Sequence, residues 1–288
     1  MPDIPSTLKF HRDRCADHLS HPVLVTSLEA AYQGALRLID AFQTDVDITE
    51  KGTSNFVSSA DLAAENAIVT TIRERFPDHA IISEESHSDR ADAEHLWVID
   101  PLDGTSNFLH GIPHFAVSIG YYQRGVANVG VVCNPISGDW YVAVEQQGAW
   151  HNGERMQVSR AERLNQAIIA CGFHYDRGKM MEATLATLAD LFRKDIHDVR
   201  RFGAAALDIA NVACGQFEAF FEYRLSPWDY AAGAILLNEA GGKISDCSGN
   251  QLPLGSSSGI CATNGLLHQS MLEQLSRHLG YFPSNQAD

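Results

Sequence analysis

The segment Asp100-Pro101-Leu102-Asp103-Gly104-Thr105 puts two carboxylates, two turn formers and a hydroxyl at the end of the apolar run Leu96–Ile99. Hard divalent cations such as Mg²⁺ take oxygen ligands and fill the rest of their shell with water or phosphate. Closely spaced acids at a strand mouth suit that chemistry. Pro101 and Gly104 can turn the chain into a helix start at Thr105, whose free backbone N–H groups would favour an anion. Three further acids have compatible settings: Asp61 at the start of a helical pattern, Glu84 after the short apolar run Ala80–Ser83, and Asp229 in Trp228-Asp229-Tyr230. Taken singly, an Asp at a helix start reads as a cap and Glu84-Glu85 as a solvated turn. The continuous run Asp100–Phe108 is far less ordinary.

These acids need elements to carry them. Apolar residues at Leu28, Ala31, Leu36, Ile39 and Phe42 predict a helix over 24–42, and Leu62, Ile68 and Ile72 predict another over 61–76. Between them, Ile48–Ser59, with Lys51, reads as a loop or short hairpin. His114–Gln123, Val126–Asn134 and Asp139–Glu145 read as consecutive antiparallel strands. After Asn152-Gly153 strands and helices alternate, which predicts an α/β arrangement for the second half. The expected division is a flexible leader over 1–23, an α+β half over 24–153 with the metal-binding motifs, an α/β half over 154–280 with the substrate-binding residues, and a tail over 281–288, all in one compact unit.

With 36 acidic and 21 basic residues in 288, the formal charge is −15. Such a chain is repelled by nucleic acid and anionic lipid, so direct nucleic-acid binding is not expected. No apolar stretch approaches the ~18 residues of a membrane span, and the first residues do not form a secretion signal. A cytoplasmic protein is expected. Cys15, Cys133, Cys171, Cys214, Cys247 and Cys261 are scattered without a C-x-x-C pair and read as reduced and buried. Cys15, His18 and His21, with His11 nearby, have soft-metal spacing but no second ligand pair, and read as part of the leader.

Glu84-Glu85-Ser86, the run Asp100–Phe108, and Trp228–Gly233 with Glu239-Ala240-Gly241-Gly242 together resemble the inositol monophosphatase family. The Phe202–Asp208 and Arg224–Pro227 segments are most similar to bacterial members. The resemblance implies the layered αβαβα sandwich of the inositol monophosphatase and fructose-1,6-bisphosphatase-like sugar phosphatases. It implies Mg²⁺, two or three ions per site: Glu84, Asp100 and the Leu102 carbonyl hold one, and Asp100, Asp103 and Asp229 a second. Thr105 and Glu84 would position the attacking water, with Asp61 bonded to the Thr105 hydroxyl. Asp103, Gly104, Thr105, Gly203, Ala204, Ala205, Glu222 and Asp229 would meet substrate, and Lys51 could stand near the metals. Family members are usually homodimers and often inhibited by Li⁺. His110 and His114 flank the motif, yet no histidine is required as a base.

The chain departs from the family pattern at Ala204, where many relatives carry a hydroxyl, and at Ser83, where glycine is common. The first departure bears on which sugar or polyol is preferred. The expected activity is hydrolysis of myo-inositol monophosphate, a small phosphorylated polyol, to inositol and phosphate. Alternatives are another phosphatase of the superfamily, acting on a 3′,5′-bisphosphonucleotide, fructose 1,6-bisphosphate or histidinol phosphate, and a non-catalytic binding role in transcription.

Overall fold

The computed structural model describes residues 21–44, 46–52 and 55–281. Helix α1 (His21–Ala41) buries Leu24, Leu28, Ala31, Ala35 and Leu38 along one stripe, the spacing of an amphipathic helix. It starts inside the segment expected as leader; the rest of that segment, with Cys15, lies outside the described residues. A hairpin of β1 (Ile48–Gly52) and β2 (Asn55–Ser58) leads into α2 (Ser59–Arg75). The buried stripe of α2 is Ala60, Asp61, Ala64, Glu65, Ile68 and Ile72. Leu62, expected on that stripe, is 46% exposed.

Seven strands form the first sheet in chain order: β3 (Ala80–Ser83), β4 (His95–Asp103), β5 (Ala116–Gln123), β6 (Val126–Asn134), β7 (Asp139–Val144), β8 (Gly148–His151) and β9 (Glu154–Arg155). Only β3 and β4 are parallel. Strand β9 extends this sheet past residue 153, where the first half was expected to end. The second sheet contains β10 (Ile168–Cys171), β11 (Asp198–Arg200), β12 (Ala219–Leu225), β13 (Lys243–Ser245) and β14 (Ser258–Thr263), in the order β11-β10-β12-β14-β13. The remaining helices are α3 (Thr105–Leu109), α4 (Lys179–Phe192), α5 (Ala205–Ala213), α6 (Pro227–Glu239) and α7 (His268–Leu275), which runs into a 3₁₀ segment, Ser276–Tyr281.

The two-residue period of the strands sorts these elements into layers. Trp97, Ile99, Val117, Ile119, Val131 and Val142 pack with α1 and α2. Their alternates Leu96, Val98, Tyr122, Val132 and Tyr141 pack with α5, α6 and the Ala170, Phe220, Ile260 and Ala262 face of the second sheet. The opposite face of that sheet, Ile169, Cys171, Phe221 and Cys261, packs with α4 and α7. The chain is therefore an α/β sandwich of five layers, αβαβα.

Two glycines set how closely the middle layer sits. A Cβ at Gly130 would stand 2.8 Å from the Ala232 carbonyl oxygen, and one at Gly120 would stand 3.1 Å from the Ala231 backbone. Helix α6 thus lies almost backbone to backbone on β5 and β6. Cys133, Cys171, Cys247 and Cys261 are buried and free; Cys214, expected to be buried, is only partly so. Among the described residues no helix is long and apolar enough to cross a membrane.

The Ala232 backbone cannot yield cheaply, so Gly130→Ala should destabilise the fold by roughly 1–3 kcal/mol, the cost of overpacking, as read from urea unfolding. An acid response is expected from His268, which is 3% exposed and bonded to the Ser245 and Thr263 hydroxyls at 2.9 and 3.0 Å. Burial, and then Lys243, lowers its pKa from 6.5 to about 4. The unfolded chain binds this proton first, so the contribution of neutral His268 is present above pH 6.5 and is lost as pH falls towards 4. Unfolding free energies of His268→Gln should fall less steeply than wild type across that window; parallel curves would refute the assignment.

Candidate active site

Strand β4 would normally point Asp100 and Asp103 to opposite faces of the sheet. Its register against β5 shifts between them: Asp100 pairs with Ser118 and Asp103 with Ala116. Three steps on β4 match two on β5, so one extra residue bulges out and both acids face the middle layer, with Leu102 on the other side. Bulges of this kind re-aim side chains beside functional sites. Gly104 then takes φ 91° and starts α3. Asn107 of α3 donates its side-chain N–H to the carbonyls of His114 at 2.7 Å and Phe202 at 2.8 Å, tying the bulged motif to the second half.

A cavity of about 220 Å³ opens where these segments meet. Glu84, Asp100, Leu102, Asp103, Gly104, Thr105, Gly203, Ala204, Ala205, Glu222 and Asp229, all expected at a site, line it. Asp61 lies behind Thr105, whose hydroxyl is 3.3 Å from Asp61 Oδ1 and 3.1 Å from the Leu102 carbonyl. The cap reading of Asp61 holds as well, since its Oδ2 accepts the Ser58 N–H at 2.9 Å in the capping box that starts α2. Asp229 repeats this device at the start of α6, accepting the Ser226 N–H at 2.7 Å. Asp103 accepts the N–H groups of Ala205 at 3.1 Å and Ala206 at 2.8 Å, and so caps α5 from the other sheet. The backbone of Lys51 is on β1; its side chain lies outside the described residues. His110 and His114 are not among the lining residues. Glu239 serves elsewhere, accepting the N–H groups of Gln146 and Gly148.

Burial dominates the electrostatics. It raises Asp100 well above the usual carboxylate range, helped by Glu84, Asp103 and Asp229 and opposed by the Leu102 N–H. Burial pushes Asp103 up to about 7 against the pull of the α5 amides. Asp229 also rises to about 7 through burial and Asp103, restrained by the Ser226 N–H and by the neighbouring Asp100 side chain. Glu222 is likewise pushed well up by burial and Asp229. Asp61 is raised by burial, against its Ser58 and Thr105 bonds.

The donor set fits hard divalent cations: carboxylate oxygens and one carbonyl, gathered round one cavity and repelling one another, a cost that added positive charge would relieve. Among the described residues no three acidic, histidine or cysteine side chains already converge as an ion-holding group. The fit thus rests on donor type and charge, and the acids would have to draw together around an ion.

Sequence reasoning missed several lining residues, among them Gly172, His174, Tyr175, Arg201, Asp208 and Arg224. Arg201 acts electrostatically on Asp103, Asp208 and Glu222. Its guanidinium crosses Gly203, where a Cβ would come 2.0 Å from Nη1 and where φ is 87°. Asp208 on α5 is buried, with no partner at Oδ1 among the described residues. Gly172 follows β10, and the carboxyl ends of parallel strands are where α/β sheets bind ligands; that signal could have found 172–175.

The model of the inositol monophosphatase family matches residues 19–279. Nus factor SuhB of Escherichia coli strain K12 is 41% identical over 232 residues, covering 80% of this chain and 86% of that protein. The solved structure of extragenic suppressor protein suhB from Bartonella henselae superposes with a TM-score of 0.83 at 34% identity, covering 89% of this chain and 99% of that one. Inositol monophosphatase from Anabaena (Nostoc) sp. PCC 7120 gives 0.77 at 36% identity, covering 89% and 96%.

A Cβ at Gly172 would stand 1.7 Å from Glu222 Oε2. Gly172→Ala should therefore displace the Glu222 carboxylate while keeping the fold, at the low end of the roughly 1–3 kcal/mol cost of overpacking, because a side-chain end moves rather than backbone. A crystal structure of the variant with Glu222 unmoved would contradict this.

Proposed function

Because the chain belongs to the inositol monophosphatase family, we propose that it is a Mg²⁺-dependent phosphomonoesterase that hydrolyses myo-inositol monophosphate. The observation that carries this reading is the set of acids from β4, α6 and the turn after β3, lining one cavity with a threonine bonded to a buried aspartate. Glu84, Asp100 and the Leu102 carbonyl would hold one Mg²⁺; Asp100, Asp103 and Asp229 would hold a second. Ions held there would lower the pKa of water and neutralise charge on an in-line phosphoryl transfer.

This chain's own residues orient the reactants. Thr105, its hydroxyl held by Asp61 and the Leu102 carbonyl, and Glu84 would accept hydrogen bonds from the attacking water and so position it. The positive end of α5, already capped by Asp103, keeps that carboxylate fixed while substrate binds. Glu222 accepts hydrogen bonds from ring hydroxyls, and Ala204, lacking a hydroxyl, leaves that contact to Glu222 and Arg201. A cytoplasmic homodimer inhibited by Li⁺ accords with the family resemblance.

A second reading has one specific observation in its favour: the E. coli relative is named a Nus factor. In that reading the chain also acts by binding a protein partner in transcription; its formal charge of −15 argues against direct contact with nucleic acid.

Phosphate release should depend on Mg²⁺ and favour myo-inositol monophosphate over fructose 1,6-bisphosphate, histidinol phosphate and a 3′,5′-bisphosphonucleotide. Asp100→Asn should lower the rate by more than about 100-fold, beyond the loss expected for an outer partner of a metal ligand. Preference for another phosphate ester would overturn the substrate; a cellular phenotype that survives Asp100→Asn would favour the binding role.

A further inference from the structure

Glu65, in the interior of α2, is only 1% exposed, yet it neither caps a helix nor lines the cavity. Burying an acid is costly unless its oxygens are well bonded. Here Oε2 accepts the backbone N–H of Glu85 at 3.0 Å, while Oε1 accepts the Ser86 hydroxyl and lies 3.1 Å from His87 Nδ1. These partners are the three residues that follow Glu84. The turn they form is closed on itself as well: the Ser83 N–H donates to the His87 carbonyl at 2.8 Å, and the His87 N–H to the Ser83 hydroxyl at 3.2 Å. Its shape is thus set locally, but its position relative to α2 is set by Glu65.

Residues four apart lie on one helix face, separated by about 6 Å along the axis. Asp61 and Glu65 have that spacing. From one face of α2, the first reaches Thr105 at 3.3 Å and the second grips the turn carrying Glu84. A helix anchored by the Ser58 capping box joins the two grips.

We propose that Glu65 is a positioning residue that holds Glu84 at the cavity edge, so that α2 sets Glu84 in register with Thr105. The proposal rests on Glu84 being a Mg²⁺ ligand, as in the function proposed above. Outer partners that orient metal ligands typically contribute 10–100-fold to metal affinity.

Mg²⁺ binding to the whole protein, titrated by calorimetry without substrate, tests this. Glu65→Ala should bind Mg²⁺ about 10–100-fold more weakly, with a melting temperature in EDTA showing that it remains folded at the assay temperature. Glu65→Gln keeps an acceptor for the Glu85 N–H and should recover most of the affinity. Wild-type affinity in Glu65→Ala overturns the proposal, as does a Glu65→Gln variant no better than alanine. Should Glu65→Ala fail to fold, Ser86→Ala is expected to show a smaller loss, and its unchanged affinity would overturn the proposal. Glu84→Gln separates the two levels: wild-type Mg²⁺ affinity there overturns the ligand assignment and the positioning role with it, whereas weakened binding in Glu84→Gln but not in Glu65→Ala overturns the positioning role alone.

Discussion

Mutual repulsion among buried carboxylates is the constraint around which this molecule is arranged. Asp100, Asp103, Glu222 and Asp229 all surround one cavity, and burial raises the pKa of each. Such a cluster survives only if fixed dipoles offset part of the charge. The fold supplies them from helix starts. Asp61 sits on the first turn of α2, Asp103 on that of α5 and Asp229 on that of α6. Three helices therefore aim their positive ends toward the same region. The layered packing, with α5 and α6 between the sheets, is what permits that convergence.

The bulge in β4 performs the complementary task. Without it, Asp103 would face the α1 and α2 layer, and its bonds to the α5 amides could not form. The glycines of β5 and β6 matter for a related reason. They let α6 approach the sheet that carries Asp100, so that Asp229 lines the same cavity. Position along the sequence, strand parity and helix-to-sheet distance must all agree before the acids meet.

Much of this was legible in the sequence, and what was not has physical causes. The strand ends carrying Asp100 and Glu84 stood out because apolar runs stopped at acids and turn formers. Asp61 reads as a helix cap, and its carboxylate does close the capping box of α2, but the cap reading alone did not reveal its contact with Thr105 at the cavity edge. The stripe of α2 was misjudged at Leu62 because its buried face is built from Ala60, Asp61, Ala64 and Glu65, small and acidic residues that hydrophobic periodicity weighs lightly. Arg201 and Asp208 were not read as site residues because what marks them is proximity across two sheets, which spacing along the chain does not encode. The bulge left no signal beyond Pro101.

The bond between Asp103 and helix α5 has a consequence for how the protein is made. Asp103 belongs to the first sheet, while the amides that hold it lie about a hundred positions later in the chain. A nascent chain that has emerged only as far as β9 holds every strand of the first sheet, yet its acids would face solvent with neither α5 nor α6 to receive them. The cavity is then among the last features to form during synthesis, and a truncated chain would keep the motif while lacking the site.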